Sequence, residues 1–371
     1  MTRLNLALHG PERAINFAQG FPDFDPDPRI LDAATRALRD GYNQYATTWG
    51  APQLRQAIAR RQSAAWAREV EADAEITVSC GATEAMMAAM LAAIDPGDEV
   101  IVFEPFYENY GPDCLISAAV PRYVALHPPS WEIDLDELRA AFNMRTRAIV
   151  INTPHNPTGK VFTRQELEHM AHLCIEHDVI AITDEIYEHL VYRGRHVSMA
   201  TLPGMAERTI TISGASKTYS VTGWRIGWLI APPDLTAGIR KVHDFLTVGA
   251  AHPLQIAVAE ALDLPPSFYT ELLGDYRERR DALVDGLQEF GFDVSSPDGA
   301  YYVMAGIVRF GPQDDVAFSR RLIEDAGVAT VPGSSFYHDP ALGREHIRFS
   351  FPKKIETIER GLMALRAFRA S

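Results

Sequence analysis

The chain has 371 residues, of which 47% are hydrophobic, and its formal net charge is −14. A chain of this length can bury a large core and exceeds the usual size of one domain, so we expect two domains. The acidic balance disfavours nucleic acid and anionic membranes as partners, although a local cluster of arginines can still bind a small anion.

Three cysteines, Cys80, Cys114 and Cys174, are few and widely separated. Their odd number and the lack of CxxC or metal-type His/Cys spacing argue against a disulfide framework and against a metal site. The first 18 residues lack the apolar core of a signal peptide. No apolar run reaches the roughly 18 residues that a membrane helix needs. We therefore expect a soluble, cytoplasmic protein.

Residues 1–28 show no clear hydrophobic period and become rich in Gly, Pro and Asp, which is typical of an arm followed by a loop. From there to about residue 232, short apolar runs alternate with amphipathic stretches, which predicts an α/β fold with a mostly parallel sheet. The predicted helices are Ile30–Asp40, Pro52–Glu69, Ala82–Ile94, Asp134–Phe142 and Thr163–His177. The predicted strands are Glu75–Ser79, Glu99–Phe103, Pro121–Leu126, Arg147–Asn152, Val179–Thr183, Thr209–Ser213 and Ile226–Ala231.

The pattern changes after about residue 232 and predicts a second, smaller α+β domain. Its predicted elements are a helical stretch Pro233–Leu262 interrupted near Gly249, a helix Ser267–Phe290, a Gly-rich hairpin around Asp298–Ile307, and helices near Asp315–Ala326 and Lys354–Ala370. The expected division is an arm over residues 1–28 that belongs to the smaller domain, a large domain over residues 29–250, and the smaller domain over residues 251–371.

The most informative stretch is Gly214–Gly227, which follows the predicted strand Thr209–Ser213. Lys217 stands there among small residues. A lysine at a strand end that faces a cleft can lose its proton and act as a nucleophilic amine. Arg225, eight positions later, has a fixed charge that suits a phosphate. A tight turn with two surface cations remains the alternative from this stretch alone.

Six further runs accompany this stretch: Gln19–Phe24, Asn43–Tyr45, Glu104–Tyr107, Asn152–Gly159, Thr183–Tyr187 and Ile347–Phe351. Together they resemble the class I aminotransferases of pyridoxal 5′-phosphate (PLP) fold type I, over nearly the whole chain. The resemblance is closest to the branch with kynurenine/glutamine, methionine and N-succinyldiaminopimelate aminotransferases. It implies a large domain with a mostly parallel mixed sheet between helices, a smaller C-terminal α+β domain, and PLP held as a Schiff base on Lys217.

The resemblance also implies which residues contact the cofactor ring. Asp184, at the end of Val179–Thr183, would keep the ring nitrogen protonated, because opposite charges favour the ionised pair. A helix N-cap is its alternative role. Tyr187 and Asn156 would bond the cofactor's phenolic oxygen, although an Asn-Pro pair is also an ordinary turn.

The phosphate and the ring face are assigned in the same way. Gly81, Ala82 and Thr83 begin a predicted helix, where free N–H groups and the helix dipole bind phosphate, and a generic strand–helix turn is the alternative. Tyr107 matches the aromatic that stacks on the cofactor ring, although such a residue is more often plain core. Tyr45 matches a tyrosine that reaches the phosphate of the neighbouring subunit, which implies a homodimer with shared sites.

Arg348 is a charge inside an apolar run and needs a partner. The resemblance implies that it holds the substrate α-carboxylate with Asn156, and that the backbone at Gly20 closes the other side. A structural salt bridge is the alternative. An L-amino acid and a 2-oxo acid would then exchange the amino group by a ping-pong mechanism.

Two places in the sequence depart from the relatives. Gly214 stands where a serine usually donates to the phosphate, so that Ser213 or Ser216 would have to replace it. Val248 and Gly249 align with an aromatic and a histidine of some kynurenine-type enzymes, which predicts a wider or plainer side-chain pocket.

Two other functions compete with this one. A β-eliminating C–S lyase, or another PLP enzyme of specialised metabolism, remains the alternative, because residues near Lys217 do not exclude it. A non-catalytic PLP-fold regulator is disfavoured, because Lys217 is present and no basic extension is.

Overall fold

The computed structural model describes residues 1–311 and 314–370. The helices are α1 (Thr2–Arg13), α2 (Pro28–Arg39), α3 (Pro52–Trp66), α4 (Gly81–Ala93), α5 (Tyr110–Ile116), α6 (Leu135–Ala141), α7 (Arg164–Glu176), α8 (Ala215–Thr218), α9 (Pro233–Leu246), α10 (His252–Leu262), α11 (Pro266–Phe290), α12 (Asp315–Ala326) and α13 (Ile355–Ala370). The strands are β1 (Ile15–Asn16), β2 (Ile76–Ser79), β3 (Glu99–Glu104), β4 (Val120–His127), β5 (Glu132–Ile133), β6 (Thr146–Asn152), β7 (Ile180–Asp184), β8 (Thr209–Gly214), β9 (Gly227–Ile230), β10 (Asp293–Val294), β11 (Tyr302–Gly306), β12 (Val328–Ala329), β13 (Val331–Pro332) and β14 (His346–Ser350).

The larger sheet has eight strands in the order β2-β9-β8-β7-β6-β3-β4-β5. Strands β8, β7, β6, β3 and β4 are parallel to their neighbours within this run, whereas β2, β9 and β5 pair antiparallel. The predicted α/β fold with a mostly parallel mixed sheet is therefore confirmed.

Helices cover both faces of this sheet. Strands β3, β7 and β8 are buried along their whole length, because α4 and α9 pack on one face and α7 on the other. Strands buried on both faces have continuous apolar sequences, which is the pattern that predicts them. Helix α7 begins with a capping box in which Thr163 and Glu166 bond each other's main-chain N–H groups.

A second sheet of four antiparallel strands, β10-β11-β14-β13, carries the helices α11, α12 and α13. Its core is rich in buried aromatic side chains, among them Tyr276, Tyr301, Phe318 and Phe349. The domain boundaries at residues 28 and 250 stay predictions. Helix α10, just beyond the second boundary, packs against α2 and α3.

The N-terminal segment differs from the expected irregular arm, because residues 2–13 form helix α1. A kink at Gly10, followed by Pro11, breaks the hydrophobic period that would have revealed this helix. Tertiary contacts hold it in place: the side-chain amide of Asn5 donates to the carbonyl oxygens of Ile15 and Gly327, both at 2.9 Å.

The carboxyl ends of the parallel strands meet at one edge. Asn152 at the end of β6 pairs with Asp184 at the end of β7, and Asp184 pairs with Ile212 near the end of β8. Ligands of open α/β sheets bind at such an edge. Four of the predicted site residues follow the ends of β3, β6, β7 and β8 within four positions: Tyr107, Asn156, Tyr187 and Lys217.

Candidate active site

Two adjoining cavities open at this edge. The inner cavity is lined by Ala82, Thr83, Tyr107, Asn156, Asp184, Tyr187, Ser216, Lys217, Arg225 and neighbouring residues. The outer cavity is lined by Gly20, Arg348 and neighbouring residues, and it shares Tyr107, Asn156, Lys217 and Tyr302 with the inner one. The structure therefore brings the predicted site residues together, with Gly81 behind Arg225 and with Tyr45 elsewhere.

Lys217 lies in the short helix α8, directly after β8, and borders both cavities. Its Nζ donates to the carbonyl oxygen of Gly20 at 3.3 Å and lies 5.8 Å from the centre of the Tyr301 ring. Burial, helped by the positive charge of Arg225 and opposed by Asp184, lowers the pKa of Lys217 to about 8. Near neutral pH part of this lysine is uncharged, which is the nucleophilic form of an amine.

Asp184 ends β7 and is buried against the inner cavity. Its Oδ2 accepts a hydrogen bond from the Tyr110 hydroxyl at 2.8 Å, and its Oδ1 accepts one from the N–H of Ile186 at 3.3 Å. Burial raises the pKa of Asp184, and these hydrogen bonds oppose the rise. A cation beside this carboxylate would stabilise its ionised form. The next residues, 185–189, include a turn but no helix, so the N-cap alternative does not hold.

Tyr187 and Asn156 reach the inner cavity from two different loops. The hydroxyls of Tyr187 and Tyr302 share a hydrogen bond of 2.9 Å. Burial raises the pKa of Tyr187 well above its usual value, so this side chain stays a neutral hydroxyl. The side-chain amide oxygen of Asn156 accepts a hydrogen bond from Nη1 of Arg348 at 2.8 Å. The main-chain N–H of Asn156 donates to Oδ1 of Asn152 at 2.7 Å.

The start of α4 forms one end of the inner cavity. Gly81 has a φ of +82°, and a Cβ at this position would collide with the Arg225 guanidinium. Arg225 donates to the carbonyl oxygen of Thr222 at 3.0 Å and to the hydroxyl of Thr83 at 3.4 Å. Glycine is thus required for the guanidinium to lie against the helix start. N–H groups of a helix terminus beside an arginine and a hydroxyl suit a phosphate.

Gly214 has no room for a side chain, because a Cβ there would lie 2.9 Å from the carbonyl oxygen of Ile226. Of the two serines that could replace the missing hydroxyl, Ser213 donates to Glu188 at 2.9 Å. Ser216 instead lines the inner cavity. Ser216 is therefore the one of the two that is placed to contact a ligand.

Arg348 lies in the middle of β14 and is buried. Its two terminal nitrogens donate to the amide oxygen of Asn156 at 2.8 Å and to the carbonyl oxygen of Ala18 at 2.9 Å. The guanidinium lies over the rings of Tyr302 and Phe336, 4.4 and 4.7 Å from their centres. Its Nε is buried without a partner. Within the described part of the chain Arg348 forms no ion pair, so the salt-bridge alternative has no support, and an arginine of this kind is suited to an anionic ligand.

Gly20 lines the outer cavity together with Arg348. Its carbonyl oxygen accepts hydrogen bonds from the Tyr301 hydroxyl at 2.6 Å and from Lys217. A Cβ at residue 20 would collide with the hydroxyl of Tyr302. The main chain can pass this close to the tyrosine only because residue 20 is a glycine.

Three tyrosines that no sequence motif indicated belong to this site. Tyr110 holds Asp184, Tyr302 contacts both Tyr187 and Arg348, and Tyr301 holds Gly20. Tyr110 lies three positions after Tyr107, and this spacing was a weak sequence signal, because side chains three positions apart can meet in a helical turn. The two rings lie 5.6 Å apart. The adjacent pair Tyr301–Tyr302 carries no such spacing.

Tyr45 is 87% exposed and lies outside both cavities of its own chain. The turn that carries it is held by His252, whose Nδ1 donates to the carbonyl oxygen of Gln44 at 3.0 Å. Phe245, at the end of α9, is 93% exposed. Neither side chain is covered by its own chain.

Known proteins with similar sequences and structures identify the family of this chain. The family described as aminotransferase class I and II matches residues 12–365. A Mycobacterium tuberculosis protein named probable N-succinyldiaminopimelate aminotransferase DapC is 41% identical over 364 residues, 95% of this chain and 91% of that protein. The methionine aminotransferase of Escherichia coli is 37% identical and aligns over 95% of this chain and 91% of its own length. The solved structure of the Mycobacterium tuberculosis N-succinyldiaminopimelate aminotransferase has a TM-score of 0.94 at 39% identity, covering 99% of this chain and 97% of that chain.

These similarities confirm the family, the fold type I architecture and the PLP dependence predicted from the sequence motifs. The relatives named above are aminotransferases, so they give no support to the lyase alternative. In the described ranges, no helix is both long and apolar enough to cross a membrane. The chain belongs to the class I and II aminotransferase family and is a PLP-dependent enzyme that transfers an amino group from an amino acid to a 2-oxo acid.

Proposed function

We propose that the inner cavity holds PLP, that the outer cavity holds the substrate, and that Lys217 carries the cofactor. The strongest support is the arrangement of three charged side chains along the two adjoining cavities. Lys217 borders both cavities, Asp184 lines the inner cavity and Arg348 lines the outer cavity. A cationic ring nitrogen and an anionic substrate carboxylate match this order of charges.

The phosphate of PLP would lie at the start of α4. The N–H groups of Gly81, Ala82 and Thr83 point from a helix terminus, and Arg225 adds a full positive charge. Ser216 supplies a hydroxyl from the same cavity wall. The close approach of Arg225 to Gly81 supports this assignment, because it concentrates anion-binding groups at one end of the cavity.

The ring of PLP would lie between Tyr107 and the end of β7. Asp184 would face the ring nitrogen, and Tyr187 and Asn156 would face the phenolic oxygen. The raised pKa of Asp184 fits this role, because a buried carboxylate gains most from a cation beside it. When bound, PLP supplies a protonated ring that takes up the electron pair left by the breaking Cα–H bond of the substrate.

Lys217 would act as the general base, with its Nζ taking the proton from the substrate Cα. A base works best when its pKa lies close to the working pH, and burial brings the pKa of Lys217 to about 8. Among the described lysines, Lys217 is the one that lines these cavities.

Arg348 would bind the α-carboxylate of the substrate, with Asn156 beside it and the backbone of Gly20 on the other side. The buried Nε of Arg348, which has no partner, is a donor still available to an anion. Fixing the carboxylate sets the direction of the Cα–H bond relative to Lys217. In favourable model systems such positioning supplies up to about 7–11 kcal/mol.

The donor would be an amino acid that fits the outer cavity. Aromatic amino acids, kynurenine, methionine, glutamine and a diaminopimelate derivative are the candidates. Phe21, Val316, Val331 and Pro332 line the outer cavity, which favours an uncharged side chain such as that of methionine. Because donor and acceptor would use the same carboxylate site in turn, the kinetics would be ping-pong.

The enzyme would be a cytoplasmic homodimer in which Tyr45 of each chain completes the partner's site. The exposure of Tyr45 and Phe245 supports this arrangement, since neither side chain is covered by its own chain. The three cysteines are free, which suits a reducing compartment.

A half-reaction screen tests the function. The PLP-loaded protein is mixed with each candidate donor, and the absorbance of bound PLP is expected to fall as pyridoxamine phosphate forms with at least one of them. Lys217→Ala should show no conversion. Reduction with borohydride followed by peptide mapping should place the cofactor on Lys217. Failure of every donor, or a label on another lysine, would contradict the proposal.

Hybrid dimers test the shared site. Tyr45→Ala and Lys217→Ala chains are mixed, unfolded and reassembled at limiting PLP. If each site takes these residues from different chains, each hybrid holds one intact site, and about a quarter of the wild-type activity should return. If no activity returns although hybrids form, the sharing of sites is wrong.

A further inference from the structure

Lys353 is a buried lysine that the proposed function does not use. It lies between β14 and α13, and its side chain is 2% exposed. Its Nζ donates to the carbonyl oxygens of Phe21 at 2.7 Å and Gln19 at 3.3 Å, and it lies 4.6 Å from the centre of the Phe21 ring. Throughout the described ranges, Lys353 forms no ion pair with a carboxylate.

A buried ammonium without a direct counter-ion is unfavourable. Burial lowers the pKa of Lys353 to about 8, and the charge of Asp23 opposes this effect. An apolar side chain of similar length would fill the same space without the desolvation of a charge. The lysine at this position is therefore explained by its hydrogen bonds to the segment Gln19–Phe21.

Other side chains hold the same segment. The hydroxyl of Ser350 donates to the carbonyl oxygen of Gln19 at 3.0 Å, and the hydroxyl of Tyr301 donates to that of Gly20 at 2.6 Å. With Lys353 on Gln19 and Phe21, three successive carbonyl oxygens are fixed. The orientation of the segment is thus determined by Ser350 at the end of β14, by Lys353 after it, and by Tyr301, the residue before β11.

Because the orientation of the segment is fixed, its N–H groups can be divided into those that are hydrogen-bonded and those that are free to bind a ligand. The N–H groups of Ala18 and Gln19 both donate to Oδ1 of Asn16, and that of Phe21 donates to the carbonyl oxygen of Gln19. The N–H of Gly20 has no partner within residues 1–311 and 314–370. Gly20 lines the outer cavity beside Arg348.

We propose that Lys353 positions the segment Gln19–Phe21 so that the N–H of Gly20 donates to the substrate α-carboxylate alongside Arg348. This inference rests on the proposed function, because the carboxylate is that of the substrate. Lys353 is a positioning residue, since it contacts the segment and not the substrate. Arg348 bonds Asn156 and Ala18 and not the residues of the segment Gln19–Phe21, so loss of Lys353 removes the contact of Gly20 and leaves that of Arg348.

Lys353→Met tests the proposal, and Lys354→Met is the matched control, because Lys354 is the next residue and its side chain is exposed. In Lys353→Met, the KM for the amino donor and the KM for the 2-oxo acid should each rise about tenfold, as for the loss of a hydrogen bond to a charged group. The kcat should change less than about threefold, and PLP affinity should stay unchanged. Lys353→Arg should restore part of the KM, and Lys354→Met should behave as wild type.

Hydrogen exchange in the cofactor-free protein gives a readout that needs no activity. Amide exchange at Gln19 and Phe21, whose N–H groups are hydrogen-bonded, should be faster in Lys353→Met and unchanged in Lys354→Met. If Lys353→Met does not fold, Ser350→Ala replaces it. That variant also loses a donor to Gln19, and it should raise both KM values about threefold.

The outcomes separate the two proposals. A KM within twofold of wild type overturns the inference, and so does a fall in kcat or in PLP affinity at unchanged KM. Unchanged exchange at Gln19 and Phe21 also overturns the inference, but leaves the proposed function intact. A wild-type enzyme that accepts no amino acid removes the proposed function, and with it the carboxylate as the ligand of Gly20.

Discussion

The two ends of the proposed site are built in different ways. At the phosphate end, main chain dominates: Gly81 begins α4 beneath Arg225, and Gly214 leaves no space for a side chain. At the carboxylate end, side chains from distant parts of the sequence meet, and Arg348 bonds a carbonyl oxygen 330 residues away. A cofactor that never changes can be bound by fixed backbone geometry. The carboxylate end, which would accept two different substrates in turn, depends instead on a few side chains, each of which can be substituted separately.

Asp184→Asn should affect the cofactor end alone and have the largest effect. The amide keeps the shape of the side chain but loses the charge that would stabilise a protonated ring nitrogen. We expect kcat to fall about 10²–10³-fold, the cost of removing one preorganised electrostatic group. The KM for the amino donor should change less than about threefold, because the carboxylate end is intact. Steady-state kinetics at saturating PLP measure both constants.

Asp113→Asn is the control for this variant, because Asp113 is also a buried acid but lines neither cavity. It should retain kcat within about twofold. An Asp184→Asn enzyme with wild-type kcat would show that the carboxylate at the end of β7 does not face the ring.

Arg348→Met should affect the opposite end. Loss of a charged contact to the substrate carboxylate costs about 2–4 kcal/mol, so kcat/KM should fall roughly 30- to 1000-fold, mainly through KM. Spectroscopic titration with PLP should give the wild-type affinity. Arg348→Lys should recover little, since one ammonium cannot replace a fork that also reaches Asn156 and Ala18. Weaker PLP binding in Arg348→Met would mean that the two ends are not separate.

Lys217 lies between the phosphate end and the carboxylate end, and its pKa predicts how the rate of aldehyde capture depends on pH. Covalent capture of an aldehyde requires the uncharged amine, whose fraction rises tenfold per pH unit below the pKa and then levels off. With the pKa lowered from 10.5 to about 8, the rate should rise up to about pH 8 and stay flat above it. Rapid mixing of the cofactor-free protein with pyridoxal, which has no phosphate to titrate, measures this rate. A rate that keeps rising to pH 10 would indicate an ordinary lysine.

Gly214→Ser should have the smallest effect on activity. A serine there would add the hydroxyl that Gly214 lacks, but its Cβ would lie 2.9 Å from the carbonyl oxygen of Ile226. Overpacking of this kind costs about 1–3 kcal/mol, so the melting temperature of the PLP form should fall while PLP affinity improves less than about threefold. Ser216→Ala is the complementary variant and should weaken PLP binding. A marked gain in affinity at unchanged stability in Gly214→Ser would show that the backbone can make room.

The sequence was sufficient for the parts of the site that depend on local structure. Asp184 ends a buried strand, and Gly81 begins a helix, so their position at the carboxyl edge of the sheet followed from strand and helix patterns. The capping box of Thr163 and Glu166 was equally local.

Parts that depend on tertiary packing were not predictable in this way. Tyr110 bonds Asp184 across 74 residues, and helix α1 is held by Asn5 through a contact across 322 residues. Lys353 carried no signal either, because a lysine beside another lysine in a sequence looks like a solvated pair. Burial distinguishes the two, and burial is set by the whole fold.

The bond between Arg348 and Ala18 also bears on how the protein is made. A ribosome that adds about 5–20 residues per second needs roughly 15–65 s to reach Arg348 after Ala18 has been synthesised. During that time the early segment waits without its final neighbours, while the strands of the larger sheet can already assemble. A growing chain would therefore complete the proposed PLP-binding part of the larger sheet well before Arg348, which would bind the substrate carboxylate, has been synthesised.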